Sequence, residues 1–498
     1  MALERRSTGD WAPMTINLQE RRVFWAILIV AVALRVAAFN PYSAHHPDEI
    51  IQYIEQAHRL DFGYGIVPWE FRYGIRSWLI PLMLAVPMAL GERIDPGGTL
   101  YLTMPRLMVA LFNLSPVVVA WVIGRRSSLQ HAIVAMAVTA TWVECVLFSV
   151  QTLSESLATS AFMIAAAMLG GRPGRASTAG AGALLALALL FRFQFAPATL
   201  AYAVMITGRD WRRLALLAAG GAPVIACGAL IDLAMHQLPY QWFLTNFRMN
   251  ISEGRMNAFG ELSPWVYVRD LARFWQPGLI FIPVLAAIGG RAHRPLLVAA
   301  IVNLLFHQLF GHKEYRFIWL SVQIVILLAA IGSVDLLKRG VAGHRPREPE
   351  SARITALLVS AWAGFSFLLA MQPVYQLYWR NRGDASRLGS EAVRDPAVCG
   401  LVVPEWSWTF FGYGLLHRNK PLYVLPPEGP ESIATPDSLS LSFNAALSWN
   451  IGPPGFVKVA CRESHPNRIC LFRRTGPCRI DAAATSHLMQ NWLLRTDR

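Results

Sequence analysis

The chain has 498 residues, 54% hydrophobic and only 15% charged, with 45 Lys and Arg against 31 Asp and Glu for a net charge of +14. Soluble domains carry about 25% charged residues, and here the apolar residues collect into long runs separated by Arg-rich punctuation. This excludes a single soluble globular domain, and, because no basic stretch is interleaved with aromatics, it also argues against a nucleic-acid partner.

In chain order, the first apolar run, Val23 to Phe39, follows Arg5, Arg6, Arg21 and Arg22, which places the N-terminus on the cytoplasmic side. More apolar runs follow and no A-x-A-like site does, so this run reads as an uncleaved anchor. Trp78 to Leu90 has about 13 residues and carries Pro81 and Pro87, which suits a re-entrant or interfacial helix better than a span. Later runs lie at 103–123, 131–149, 154–170, 178–191, 195–207, 214–235, 273–288, 295–311, 317–337 and 354–372.

Parity decides how 78–90 is placed. If it does not cross, the loops holding Arg125 and Arg126, Arg172 and Arg175, Arg209 to Arg213, Arg291 to Arg294 and Lys338 to Arg347 all lie inside; if it crosses, all lie outside. The expectation is an all-α polytopic membrane protein of about eleven transmembrane helices over 1–372, with 41–77 as an exterior loop. Arg192 and Gln194 interrupt 178–207, which reads either as two short helices or as one bent helix that would invert everything after it.

From Gln372 onward the pattern changes to short strand-like pieces, Leu401–Val403, Leu422–Leu425, Phe456–Ala460 and Ile469–Phe472, punctuated by Pro and Gly, so 373–498 reads as a small extramembrane α/β domain on the exterior. Cys399, Cys461, Cys470 and Cys478 fall in it. An oxidising exterior permits one or two disulfides among three pairings, with free buried thiols as the alternative. The spacing is not a zinc pattern.

The polar residues crowd the exterior side. In the first exterior loop Pro47 suits the first turn of a helix and places Asp48 and Glu49 at its positive end, where a carboxylate stays ionised and can act as a general base toward a sugar hydroxyl. Glu155, then Arg192 and Gln194, then His312, Lys313, Glu314 and Arg316 occupy span ends on the same side. Lys occurs only at 313, 338, 420 and 458, so the trio His312, Lys313 and Arg316 is more than background, and cations at a membrane edge suit a lipid phosphate. The plainer alternatives are acids that merely start a helix and cations that anchor at headgroups. His45, His46, Asp48 and Glu49 lack an HExxH spacing, and Ser154 and Ser156 lack a GxSxG context, so neither a metal nor a serine nucleophile is expected.

HPDEIIQYIEQAH (46–58), GYG (63–65), PWE (68–70) and IRSWLIPL (75–82), then PRL (105–107), TLSES (152–156), Asp232 with Tyr240 to Asn250, AFGELSPWVY (258–267) and HKEYRF (312–317) resemble, in order and spacing, the motifs of the dolichyl-phosphate-mannose-dependent mannosyltransferases of glycosyltransferase family 22. The resemblance covers roughly residues 20–340. It implies a GT-C fold, a polyprenyl-phosphate-sugar donor, inversion at the anomeric carbon, and no cofactor. It also implies Asp48 as base with Glu49 orienting the acceptor or His46. Arg76, His312, Lys313 and Arg316, with Arg192 behind them, are expected to hold the donor phosphate, and Gln52, Glu70, Glu155, Gln194 and Glu314 to line the substrate.

The expected activity is transfer of a mannosyl or other sugar residue to a glycan or glycolipid acceptor on the exterior face. The Arg-rich composition and long C-terminal domain point to a bacterial inner membrane with the site facing the periplasm, or the ER lumen in a eukaryote. A flippase of lipid-linked sugars is the rival from another class, but it calls for charges at mid-membrane and an inverted repeat; here the charges sit at span ends on one side.

Overall fold

A computed structural model describes residues 17–44, 46–171, 173–340, 348–380, 382–404, 411–425, 441–449, 451–464, 467–479 and 483–496. Arg5, Arg6, His45, Arg172 and 341–347, singled out above, lie outside them. A helix stands at every apolar run. The first, Leu18–Ala38, is capped by the Asn17 side chain, which accepts the Glu20 N–H at 2.8 Å.

Among the described residues four helices, Leu100–Arg125, Trp211–Ala234, Tyr315–Arg339 and Glu350–Ala370, are long and apolar enough to cross a membrane. Two pairs, Leu129–Thr141 with Val143–Ser149 and Val266–Trp275 with Gly278–Gly290, bend by 61° and 100° and bring the number to six if each counts as one span. Shorter apolar helices stand at Ser154–Leu169, Arg175–Phe191, Phe193–Thr207 and Arg294–Gln308, and the expected count of eleven crossings is not confirmed. Arg192 to Phe195 divides Arg175–Phe191 from Ala196–Thr207, so 178–207 forms two helices. The segment expected at 78–90 is the helix Leu79–Ile94, 16 residues with Pro87 inside, still short of the ~20 of a full span.

Helices meet closely where side chains are smallest. A Cβ on Gly182 would lie 2.0 Å from the Leu217 carbonyl oxygen, and one on Gly332 1.9 Å from that of Leu285, so both helix pairs approach backbone to backbone. Charge sorts along the bundle. At one end Arg213 donates to the Leu169 carbonyl at 3.0 Å, Arg125 pairs with Glu20 at 2.9 Å, His131 meets Asp335 at 3.1 Å, and Lys338 reaches Ser128 at 3.1 Å. Helix Ser154–Leu169 runs from this end to Glu155, some 20 Å away at 1.5 Å per residue. The Arg-rich loops therefore gather opposite Glu155 and its neighbours, as the parity argument requires.

The C-terminal part holds a five-stranded mixed sheet of β1 (Leu401–Pro404), β2 (Leu422–Leu425), β3 (Ala445–Ser448), β4 (Val457–Ser464) and β5 (Asn467–Arg473). The order is β2-β1-β3-β5-β4, with β1 parallel to β2 and β3, and β5 antiparallel to β3 and β4. Alternation divides its faces: Leu401 and Val403 pack with Leu388 and Leu493, while Val402 packs with Phe443 and Phe472. Of the pairings left open, Cys399–Cys478 and Cys461–Cys470 form.

Candidate active site

A cavity of about 560 Å³ opens at the Glu155 end. Its first wall is the loop helix that begins at Pro47. His46 precedes it, and the Glu49 carboxylate, three residues on, accepts the His46 backbone N–H at 3.2 Å, the returning half of a capping box. The chain continues as a π-helical turn, Glu49–Ile54, which separates neighbours: Asp48, Ile51 and Gln52 face the cavity, while Glu49, fully buried, turns away to accept the Thr152 N–H at 2.7 Å and lies 4.0 Å from Arg106. Arg106 also donates to the Asn40 carbonyl at 3.4 Å and to that of Ser43. Glu49 thus bolts the helix start to the segment before Ser154 and holds His46 through its backbone N–H.

The second wall is the turn 312–316. Glu314 is extended, φ −132° and ψ 142°, so side chains alternate: His312, Glu314 and Arg316 line the cavity, whereas Lys313 turns back to the Phe310 carbonyl and Tyr315 to Glu144. Lys313, expected on the donor phosphate, does not line the cavity.

Between the walls lies an ion network. Arg316 meets Asp48 at 2.8 Å, Glu314 at 2.5 Å and Glu155 at 3.3 Å; Arg192 meets Glu155 at 3.0 Å. His46 lies 3.4 Å from Asp48 and 3.1 Å from Glu314, which accepts from His312 at 2.8 Å. Burial is the largest single influence and opposes ionisation of Asp48 and Glu314, but Arg316 together with His46 at each, and His312 at Glu314, outweighs it and holds both well below the usual carboxylate range. Burial and Arg316 also oppose a charge on His46, yet Asp48 and Glu314 raise it to about 9.

Across the cavity Gln52 donates to Glu70 at 2.9 Å. Burial pushes Glu70 up to about 7, against the pull of Arg76. Arg76 lines the cavity, and its Nε has no hydrogen-bond partner among the described residues. Gln194 and Trp69 complete this side, with Asn246, Asn250 and His307. These last three, Arg106 and Trp69 received no role from the sequence. Arg106, a charge inside an apolar run, carried the available signal. Among the described residues no cluster of three or more His, Cys, Asp or Glu could hold a metal ion.

The arrangement offers an ionised carboxylate facing open space, three cations (Arg76, Arg192, Arg316) around one volume, and amide and carboxyl groups suited to hydroxyls, which fits attack by a sugar hydroxyl on a phosphate-activated carbon.

The sequence profile of the Alg9-like mannosyltransferase family matches residues 24–381. A GPI mannosyltransferase 3 of Yarrowia lipolytica is 27% identical over 473 residues, covering 90% of this chain and 88% of the relative. The GPI alpha-1,2-mannosyltransferase 3 of Homo sapiens is 24% identical over 312 residues, 59% of this chain and 54% of its own. Among solved structures, ArnT from Cupriavidus metallidurans bound to undecaprenyl phosphate aligns with a TM-score of 0.57 at 12% identity over 92% of this chain and 99% of that one. This likeness establishes the fold, a GT-C architecture.

Proposed function

The chain belongs to the Alg9-like mannosyltransferase family of glycosyltransferases, and on that premise we propose that it moves a mannosyl residue from a polyprenyl-phosphate-mannose donor to a glycolipid acceptor at the exterior membrane face. The observation that carries the reading is the 2.8 Å pair of Asp48 and Arg316 at the centre of a cavity with two further arginines. As the sugar–phosphate bond breaks, negative charge grows on the leaving polyprenyl phosphate. Arg316, Arg76 and Arg192 stabilise that charge more in the transition state than in the ground state. When Arg316 turns to the phosphate, Asp48 loses the cation that depresses its basicity and is left to take the proton of the attacking hydroxyl, with inversion at the anomeric carbon. Gln52, Glu70 and Gln194 supply hydrogen bonds to hydroxyls. Glu49 and Glu155 hold the frame, Glu49 through Thr152 and Glu155 through Arg192 and Arg316.

The names of the relatives favour an acceptor of the glycosylphosphatidylinositol type and an α-1,2 linkage. The Arg-rich loops opposite the cavity support a site on the periplasmic or lumenal side.

The test is sugar transfer by the purified protein in detergent from a short-chain polyprenyl-phosphate-mannose, where no membrane separates compartments and transport alone yields nothing. Asp48→Asn keeps size and loses the base, so its rate falls about 10²–10⁴-fold. A folded variant that binds donor and transfers at near wild-type rate removes Asp48 from the role.

A further inference from the structure

One buried acid lies outside the cavity and outside the chemistry above. Glu144 is 1% exposed and stands in the first turn of Val143–Ser149, directly after the break at Trp142. Among the described residues it forms no ion pair. Its carboxylate instead accepts three side-chain hydrogen bonds: Trp142 Nε1 and Trp275 Nε1 each donate to Oε2 at 2.8 Å, and the Tyr315 hydroxyl donates to Oε1.

Each donor comes from a break in the chain. Trp142 sits in the 61° bend, Trp275 precedes the 100° bend, and Tyr315 opens the helix Tyr315–Arg339. An acid in an apolar interior is costly unless satisfied, and here its satisfaction requires all three breaks to converge. Two indole donors already secure the bends. The phenol does something further, because Tyr315 lies between Glu314 and Arg316. With Glu314 extended, fixing the Tyr315 side chain on the far side of the turn fixes Glu314 and Arg316 on the cavity side. The Phe274 ring covers Tyr315 at 4.3 Å and 34°, and the Phe274 carbonyl is itself held by the Tyr375 hydroxyl at 3.1 Å, so Tyr315 has little room to turn.

We propose that Glu144 is a positioning residue of the site: through Tyr315 it sets the turn that holds Glu314 and Arg316 against His46 and Asp48, without touching substrate. The inference rests on the function proposed above and concerns how its machinery is aligned.

Tyr315→Phe tests it with the least damage, since it removes one hydroxyl and leaves both indole bonds and the Phe274 contact. Glu144→Gln is the companion, retaining size but turning an amide N–H toward a donor. Both are purified in detergent, checked by size exclusion and thermal unfolding, and assayed for transfer per folded molecule from a short-chain polyprenyl-phosphate-mannose. The expected result for Tyr315→Phe is a kcat lowered by about 10²-fold with donor KM little changed, the scale of a misplacement of about 1 Å remote from the reacting atoms.

Glu144→Gln follows in the same direction, and the double variant is no worse than Glu144→Gln alone, because the bond Tyr315→Phe removes is one of the three that Glu144→Gln disturbs. If Glu144→Gln does not fold, Tyr315→Phe alone decides. A folded Tyr315→Phe with wild-type kcat, or one changed only in thermal stability, overturns the inference while leaving the proposed function standing. A wild-type protein that transfers no sugar removes the function and this inference with it.

Discussion

Raising the pH through the window in which His46 gives up its proton should weaken the fold by an amount the site geometry sets. His46, 27% exposed, stands 3.4 Å from Asp48 and 3.1 Å from Glu314; although burial and Arg316 resist its charge, those carboxylates raise it from 6.5 to about 9. A group whose folded value is raised contributes stability that is complete below about pH 6.5, declines across the interval, and is gone above about pH 9. At about 1.36 kcal/mol per unit the contribution is roughly 3 kcal/mol. The expected loss is therefore about 3 kcal/mol between pH 6.5 and 9. The perturbation is His46→Gln, which cannot carry the charge. Thermal unfolding of wild type and variant in detergent at pH 6, 7.5 and 9.5 gives a gap that is widest at pH 6 and closes by 9.5. A gap that stays constant across the window, or widens with pH, refutes the assignment of a charged His46 between the two acids.

Two further outcomes follow from the same geometry. Arg316→Met leaves Asp48, Glu155 and Glu314 sharing Arg192 and His46, and breaking a buried pair in this way costs about 3–5 kcal/mol; chemical denaturation in detergent checks it, and Arg316→Met with wild-type stability means the network does not hold as described. For sidedness, Arg209→Cys and Asp384→Cys, each made with Cys227→Ala, should label with a membrane-impermeant maleimide from opposite sides of intact vesicles; labelling of both from one side removes the assignment of 373–498 to the exterior.

The polar half of the site was legible in the sequence because charge is expensive in apolar runs and so marks itself. Sorting Glu155, Arg192, Glu314 and Arg316 by span end put them on one side, where the structure brings them together. What sequence could not supply was orientation within a motif. HPDE gave Asp48 and Glu49 neighbouring roles and HKEYRF grouped Lys313 with His312 and Arg316, yet the π-helical turn sends Glu49 away beside Asp48, and one extended residue turns Lys313 away beside His312 and Glu314. Glu144 and Arg35 were as conspicuous as Arg192, being charges in apolar runs, but each is satisfied locally, Arg35 by the carbonyls of Thr139, Ala140 and Cys145 at 2.9–3.3 Å. Such residues become interpretable only when the chain breaks they serve are visible. The sheet was read from its apolar pieces except β3, whose four residues Ala445–Ser448 carry no β-branched or aromatic side chain to announce a strand. Hydropathy measures apolar runs and is blind to the bends within them, such as the 61° and 100° breaks at Trp142 and after Trp275.

The Glu55 carboxylate, in the same loop as Asp48, accepts the Ile66 N–H at 2.6 Å and the Gly414 N–H at 2.6 Å, and nearby His58 meets His417 at 3.2 Å. Gly414 lies 359 positions further along the chain than Glu55. At the usual 5–20 residues per second of synthesis, roughly 20–70 s separate the two. Throughout that interval the loop bearing the proposed base carries a buried-to-be acid that lacks its second donor. Completion of that loop is thereby deferred until the segment around Gly414 has been made and delivered to the same side of the membrane.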